Sequence, residues 1–124
     1  MSDKEWNKYL INEENKYKRF GNVECPAFSN EKVYFNDYGL RHIMYKDRIP
    51  RPRDEVVKRF NLLIYVPNIL KRIKIVDNEE KSIKKQSIAY FWTIKHKVHN
   101  NLFVRIILRR LNNGTIHFFS IMKE

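Results

Sequence analysis

The chain has a single cysteine, Cys25, so no disulfide can form within it and a cysteine-built zinc centre lacks its other ligands. That shortage predicts a reducing compartment, and the expected setting is the cytoplasm, reached by synthesis there or by delivery from another cell. Glycine and proline are scarce as well, at three and four residues in 124, which excludes low-complexity and collagen-like chains. The opening stretch MSDKEWNKYLINEENKYKRF is charged throughout and has no apolar centre, unlike a secretory signal or a membrane span. No pair of histidines has HxxxH spacing and no carboxylates cluster with them, so neither a metal nor a cofactor is expected. Acidic residues are the remaining shortage: 14 stand against 25 Lys and Arg, for a formal charge of +11. A surplus that large in so short a chain points to a polyanionic partner, and its scatter among strand and turn signals argues against a membrane surface.

With 43% hydrophobic and 14% aromatic residues, the chain holds the material for one core, so residues 1–124 are expected to form a single domain. Ser2 followed by Asp3 and Glu5 reads as a helix start, and Trp6, Tyr9, Leu10, Tyr17 and Phe20 recur at helical spacing, predicting an N-terminal helix over 1–21. A connector, NVECPAFSNEK, leads to a short strand at Val33-Tyr34-Phe35 and opens the core segment, residues 30–124. His42 then falls on a short helix bounded by Gly39 and by Pro50 and Pro52, and Tyr45 and Lys46, at i+3 and i+4, share its face. Arg48, Arg51 and Arg53 follow in a proline-punctuated basic loop. Val56, Val57, Phe60, Leu63 and Ile64 mark a core-facing helix, and Pro67 opens another short one. Ile73–Val76 reads as an edge strand and the polar run from Asp77 to Lys85 as a loop.

From Ser87 onward the chain reads as three strands, SIAYFWTIKHKV, FVRIILRRL and TIHFFSIM. A two-residue turn at Asn113-Gly114 sets Ile107 opposite Ser120, with Arg105 and Arg109 flanking that serine diagonally, about 7–8 Å away or less. Val104, Ile106, Leu108, Phe119 and Ile121 then form an apolar reverse face, and matching apolar to apolar adds Tyr90, Trp92 and Ile94 to it. Thr93 and Lys95 join Arg105, Arg109 and Ser120 on the open side, where like charges this close make sense if phosphate neutralises them. In this register His117 lies on the packed side near Arg110, and His96 and His99 are edge and turn residues. The expected fold class is α+β, with helices packed on one face of a C-terminal antiparallel sheet of three to four strands.

The order of these pieces, with GLRHI in the first half, FVRIILRR in the penultimate strand and HFFSI in the last, resembles the superfamily of barnase, EndoU, colicin-type and RelE-like ribonucleases, most of all the small nuclease domains of phages and mobile elements. The resemblance covers about residues 30 to 124. It implies a metal-independent endoribonuclease acting as a toxin, in which the 2′-hydroxyl attacks the adjacent phosphate to leave a 2′,3′-cyclic phosphate. It implies His42 as general acid or base, Arg105 and Arg109 against the transition-state charge, and Ser120 on a phosphate oxygen. Tyr45, Lys46, Arg48, Thr93 and Lys95 are the expected substrate contacts. The partners implied are RNA, tRNA or mRNA among the candidates, and an acidic inhibitor protein. No glutamate matches the barnase base, so the group that takes the 2′ proton is open. The alternative is a non-catalytic nucleic-acid-binding module, which needs the cations but not His42.

Overall fold

Ser2 starts the first helix by reciprocal capping: its hydroxyl accepts from the Glu5 amide while the Glu5 carboxylate accepts from the Ser2 amide. In this computed structural model, which describes residues 1–76 and 78–124, α1 runs from Asp3 to Phe20 and stops at Gly21, whose φ of 61° favours glycine. Two short antiparallel strands follow, β1 (Asn22–Cys25) and β2 (Glu31–Tyr34), joined by a 3-10 turn at Pro26–Phe28. The connector expected between residues 22 and 32 therefore carries structure of its own.

Helix α2 (Asp37–Met44) is capped by Asn36, whose side chain accepts from the Gly39 amide. It ends before Tyr45, so Tyr45 and Lys46 do not lie along the face of His42. They form β3 (Tyr45–Lys46) of a small hairpin with β4 (Ile49–Pro50), turned by Asp47 and Arg48 at φ 51° and 73°. Pro50 lies in β4, well past the end of α2 at Met44, so the helix ends where the hairpin begins and not at the proline. Helices α3 (Arg53–Leu63) and α4 (Val66–Arg72) follow as their apolar spacing predicts.

The remaining strands are β5 (Asn78–Lys84), β6 (Ser87–His99), β7 (Leu102–Leu111) and β8 (Ile116–Lys123). The fold is α+β, but its sheet has six strands in the order β1-β2-β8-β7-β6-β5, and β2 meets β8 in parallel. The expectation of three to four antiparallel strands missed β1 and β5, and the short strand read at Val33-Tyr34-Phe35, which is β2, joins the sheet in parallel beside β8. Residues 73–76, read as an edge strand, are not one. The edge strand lies instead in the polar run read as a loop, whose first residue, Asp77, lies outside the described residues; backbone pairing with the long β6 holds residues 78–84 despite their polar side chains.

One irregularity decides the site. Ile107 does face Ser120, but the pairing then slips by a residue, so that Leu108 faces Phe118, Arg109 faces His117 and Arg110 faces Ile116. Phe119 is the extra residue of a β-bulge. Beyond it, Phe118 takes the core position assigned to Phe119, and His117 moves to the open face. The turn correspondingly holds Asn112 at φ 54°, and the Gly114 amide donates to the Leu111 carbonyl.

The core lies on one side of this sheet: Val104, Ile106, Leu108, Ile116, Phe118 and Ile121 are fully buried, joined by Trp92 and Ile94 as expected. Since β2 pairs with β8 only at Val33 and Tyr34, the rest of the β8 edge is left to α2 and α3. Gly39 allows that approach, because a Cβ there would stand 2.4 Å from the Phe118 carbonyl oxygen and 2.7 Å from the Tyr17 hydroxyl. Arg59 of α3 closes the edge lower down, donating to the Ile121 carbonyl at 3.0 Å.

Candidate nucleic-acid site

The face of the sheet away from the core carries three rows of side chains across β6, β7 and β8. They are Phe91, Arg109 and His117; Thr93, Ile107 and Ser120; and Lys95, Arg105 and Met122. The sequence reading placed Thr93, Lys95, Arg105, Arg109 and Ser120 on one face, and the pairing does so.

They do not converge on one point. Arg105 and Arg109 are four residues apart along an extended strand, roughly 13 Å between Cα atoms, so they address separate anions. Arg105 lies 3.1 Å from a Glu124 carboxylate oxygen and Lys95 lies 3.3 Å from the other. Ser120 is 1% exposed, and its hydroxyl accepts from Arg59 at 3.2 Å. As it stands, that hydroxyl supports Arg59 rather than facing solvent.

Arg109 is held differently. Its Nε–H donates to His117 Nε2 at 3.0 Å, and its guanidinium lies 3.9 Å from the centre of the Tyr38 ring and 5.5 Å from that of Phe119. Because Nε2 accepts, His117 is neutral with its proton on Nδ1. Burial, then the Arg109 charge, lowers its pKa to about 4, against the opposing effect of the Thr115 backbone. A neutral imidazole anchors the inner edge of the guanidinium and leaves the outer N–H fork without a carboxylate partner among the described residues. A stacked, unpaired guanidinium fork is the standard receptor for a phosphate.

Aromatic rings surround it. Phe119 stacks on Tyr38 at 5.5 Å and meets Phe91 edge-on at 5.3 Å, and Tyr38 is 48% exposed. The bulge is what turns Phe119 toward this cluster, and α2 brings Tyr38 from the side.

His42 borders the same cluster, 4.6 Å from Phe119 ring to ring. Burial depresses its pKa to about 4, with further contributions from Arg51 and then Arg59 that outweigh the opposing Asp47. Those two arginines share one Glu55 oxygen, at 3.0 and 3.2 Å, and Arg51 Nε also donates to the His42 carbonyl at 3.0 Å. His42 is thus a neutral imidazole near pH 7. Its Nδ1 is buried and meets no hydrogen-bond partner among the described residues, an unmet polar atom of the kind a ligand satisfies.

No family model matches the chain, and no curated protein or solved structure does either.

Tyr45, Lys46 and Arg48 are exposed on the β3–β4 hairpin, two of them on its strand and Arg48 at its turn. No group of three or more His, Cys, Asp or Glu among the described residues is placed to hold a metal ion. Among the described residues, no helix is long and apolar enough to cross a membrane. Sequence reasoning missed Tyr38, Phe91, His117, Phe119 and Arg59. The adjacent pair Phe118-Phe119 was the available signal for a ring on the open face: successive strand residues point to opposite sides, so one of the two must leave the core.

Proposed function

We propose that the protein is a metal-independent RNA endonuclease of the barnase, EndoU, colicin-type and RelE-like kind, a cytoplasmic toxin in its setting. The supporting observation is Arg109, an uncompensated guanidinium stacked on an exposed tyrosine and oriented by a neutral histidine, with a second neutral histidine against the same aromatic cluster. Arg109 binds the scissile phosphate and opposes the charge that grows on it as the 2′-oxygen attacks. His42, unprotonated near pH 7, is the proton acceptor for that hydroxyl. Tyr38, Phe119 and Phe91 offer faces and edges for unpaired bases, the usual way single-stranded RNA is held. Lys95 and Arg105 extend the basic track along the strands, and Ser120 acts by fixing Arg59 beside His42. An acidic protein covering this face is the expected inhibitor.

A non-catalytic RNA-binding module is the second reading. It is favoured by one feature: the Nε2 of His117 is spent on Arg109, which leaves His42 as the single proton-transfer group identified at the cluster.

Incubation of the purified protein with total RNA in EDTA separates the two. The nuclease reading requires cleavage that His42→Ala and Arg109→Ala each lower by about a hundredfold or more. Intact RNA at high protein concentration, with tight retention on a gel, supports the binding module.

A further inference from the structure

Lys95 and Arg105 sit directly opposite each other on neighbouring strands, an arrangement that like charges disfavour. Glu124 relieves it. One carboxylate oxygen lies 3.3 Å from Lys95 Nζ and the other 3.1 Å from Arg105 Nε. The glutamate is not a loose group, because its own amide donates to the Phe103 carbonyl at 2.9 Å and so extends the β7–β8 ladder beyond Lys123. That places its side chain on the open face beside Met122, in the row next to that of Lys95 and Arg105. Lys97 lies across from Phe103 in the same row as the glutamate, its ammonium 5.9 Å from the ring centre, so a third cation extends the track.

We propose that Lys95 and Arg105 form a second phosphate subsite, remote from Arg109 along the same strand, and that Glu124 occupies it as an internal surrogate which a nucleic-acid phosphate displaces. The two oxygens of a carboxylate and the two non-bridging oxygens of a phosphodiester present similar paired acceptors to the same two cations. Displacement is easy because these groups are partly exposed, with side-chain exposures of 58% for Lys95, 40% for Arg105 and 32% for Glu124. Ion pairs that wet hold weakly. The Arg105 contact is also off-angle, leaving its buried Nε without a true hydrogen bond. Glu124 therefore tunes affinity: it keeps the subsite closed to weakly bound anions and opens it to a polyanion already engaged at Arg109. This rests on the nucleic-acid reading of the open face.

The test compares wild type, Glu124→Gln and the double variant Lys95→Ala with Glu124→Gln. The probe is a labelled 2′-O-methyl oligouridylate of twelve nucleotides, which cannot be cleaved by 2′-hydroxyl attack. Glu124→Gln should bind about three- to tenfold more tightly, with a salt dependence steeper by about one to one and a half logarithmic units. The double variant should lose most of that gain. Equal affinity and slope in wild type and Glu124→Gln would overturn the subsite while leaving RNA binding intact. If wild type binds no oligonucleotide at all, the nucleic-acid reading fails, and inorganic pyrophosphate then decides the subsite by thermal shift. Greater protection of Glu124→Gln than of wild type sustains it, and equal protection overturns it.

Discussion

Strand β7 has two faces that differ in everything but backbone. Val104, Ile106 and Leu108 are wholly buried in the core, whereas Arg105, Ile107 and Arg109 alternate with them on a half-buried face that Tyr38 of α2 and Arg59 of α3 reach from the β8 side. One side is specified by shape and volume, and the other is populated by cations and rings. The contrast teaches that stability and the proposed binding are written on alternate residues of the same strand. A change on one side should leave the other's property nearly untouched.

The largest expected effect is on the packed side. Ile106→Ala should cost about 3–4 kcal/mol of stability in urea denaturation, because a fully buried side chain leaves a cavity. RNA binding by the fraction that remains folded should stay within about twofold. On the open side, Arg109→Ala should give the mirror result. Cleavage, or failing that RNA binding, should fall by about a hundredfold, which is about 2.7 kcal/mol, while the urea midpoint moves little.

Acid should blur the division, since both depressed histidines are tied into it. Each stays neutral in the folded protein down to about pH 4, while the unfolded chain protonates near 6.5. The unfolded state therefore holds more protons in that window, and stability should be lost as pH falls from about 6.5 to about 4, then level off. Allowing for partial exposure, the loss is on the order of 3 kcal/mol for the pair. His117→Gln, which keeps an acceptor for Arg109, should flatten about half of the slope in denaturation measured across that range. The smallest effect belongs to Arg105→Ala. Its charge is already met by Glu124, so oligonucleotide affinity should drop by less than about fivefold, against a far larger loss for Arg109→Ala.

The same alternation explains how much could be read from residue order. Apolar residues at every second position of β7 dictated the buried face, whereas the two-residue Asn113-Gly114 turn does not form: the strands pair around a loop of Asn112, Asn113 and Gly114, and Ile107 still meets Ser120 because the bulge at Phe119 offsets that shift. Helix α1 was legible because Ser2 and Glu5 cap it locally. The strand at 78–84 was not, since Glu79, Glu80, Lys81 and Lys84 carry no strand pattern and backbone pairing with β6 holds them. The bulge at Phe119 was equally hidden. It lies beside the close approach of Gly39 to the Phe118 carbonyl, a contact between residues nearly eighty positions apart. That single displaced residue moved His117 beside Arg109 and turned Phe119 toward His42. Arg105 and Ser120 were placed on the correct face, but their partners, Glu124 and Arg59, lie outside the strand pairings from which the site was read.

The most direct measurement uses a DNA strand carrying one ribonucleotide, incubated with the protein in EDTA and analysed by mass. Scission only after that ribonucleotide, leaving a 2′,3′-cyclic phosphate and vanishing in Arg109→Ala and His42→Ala, is the expected result. Equal cutting of an all-DNA strand, or an intact strand fully bound by excess protein, would contradict cleavage by 2′-hydroxyl attack at the open face.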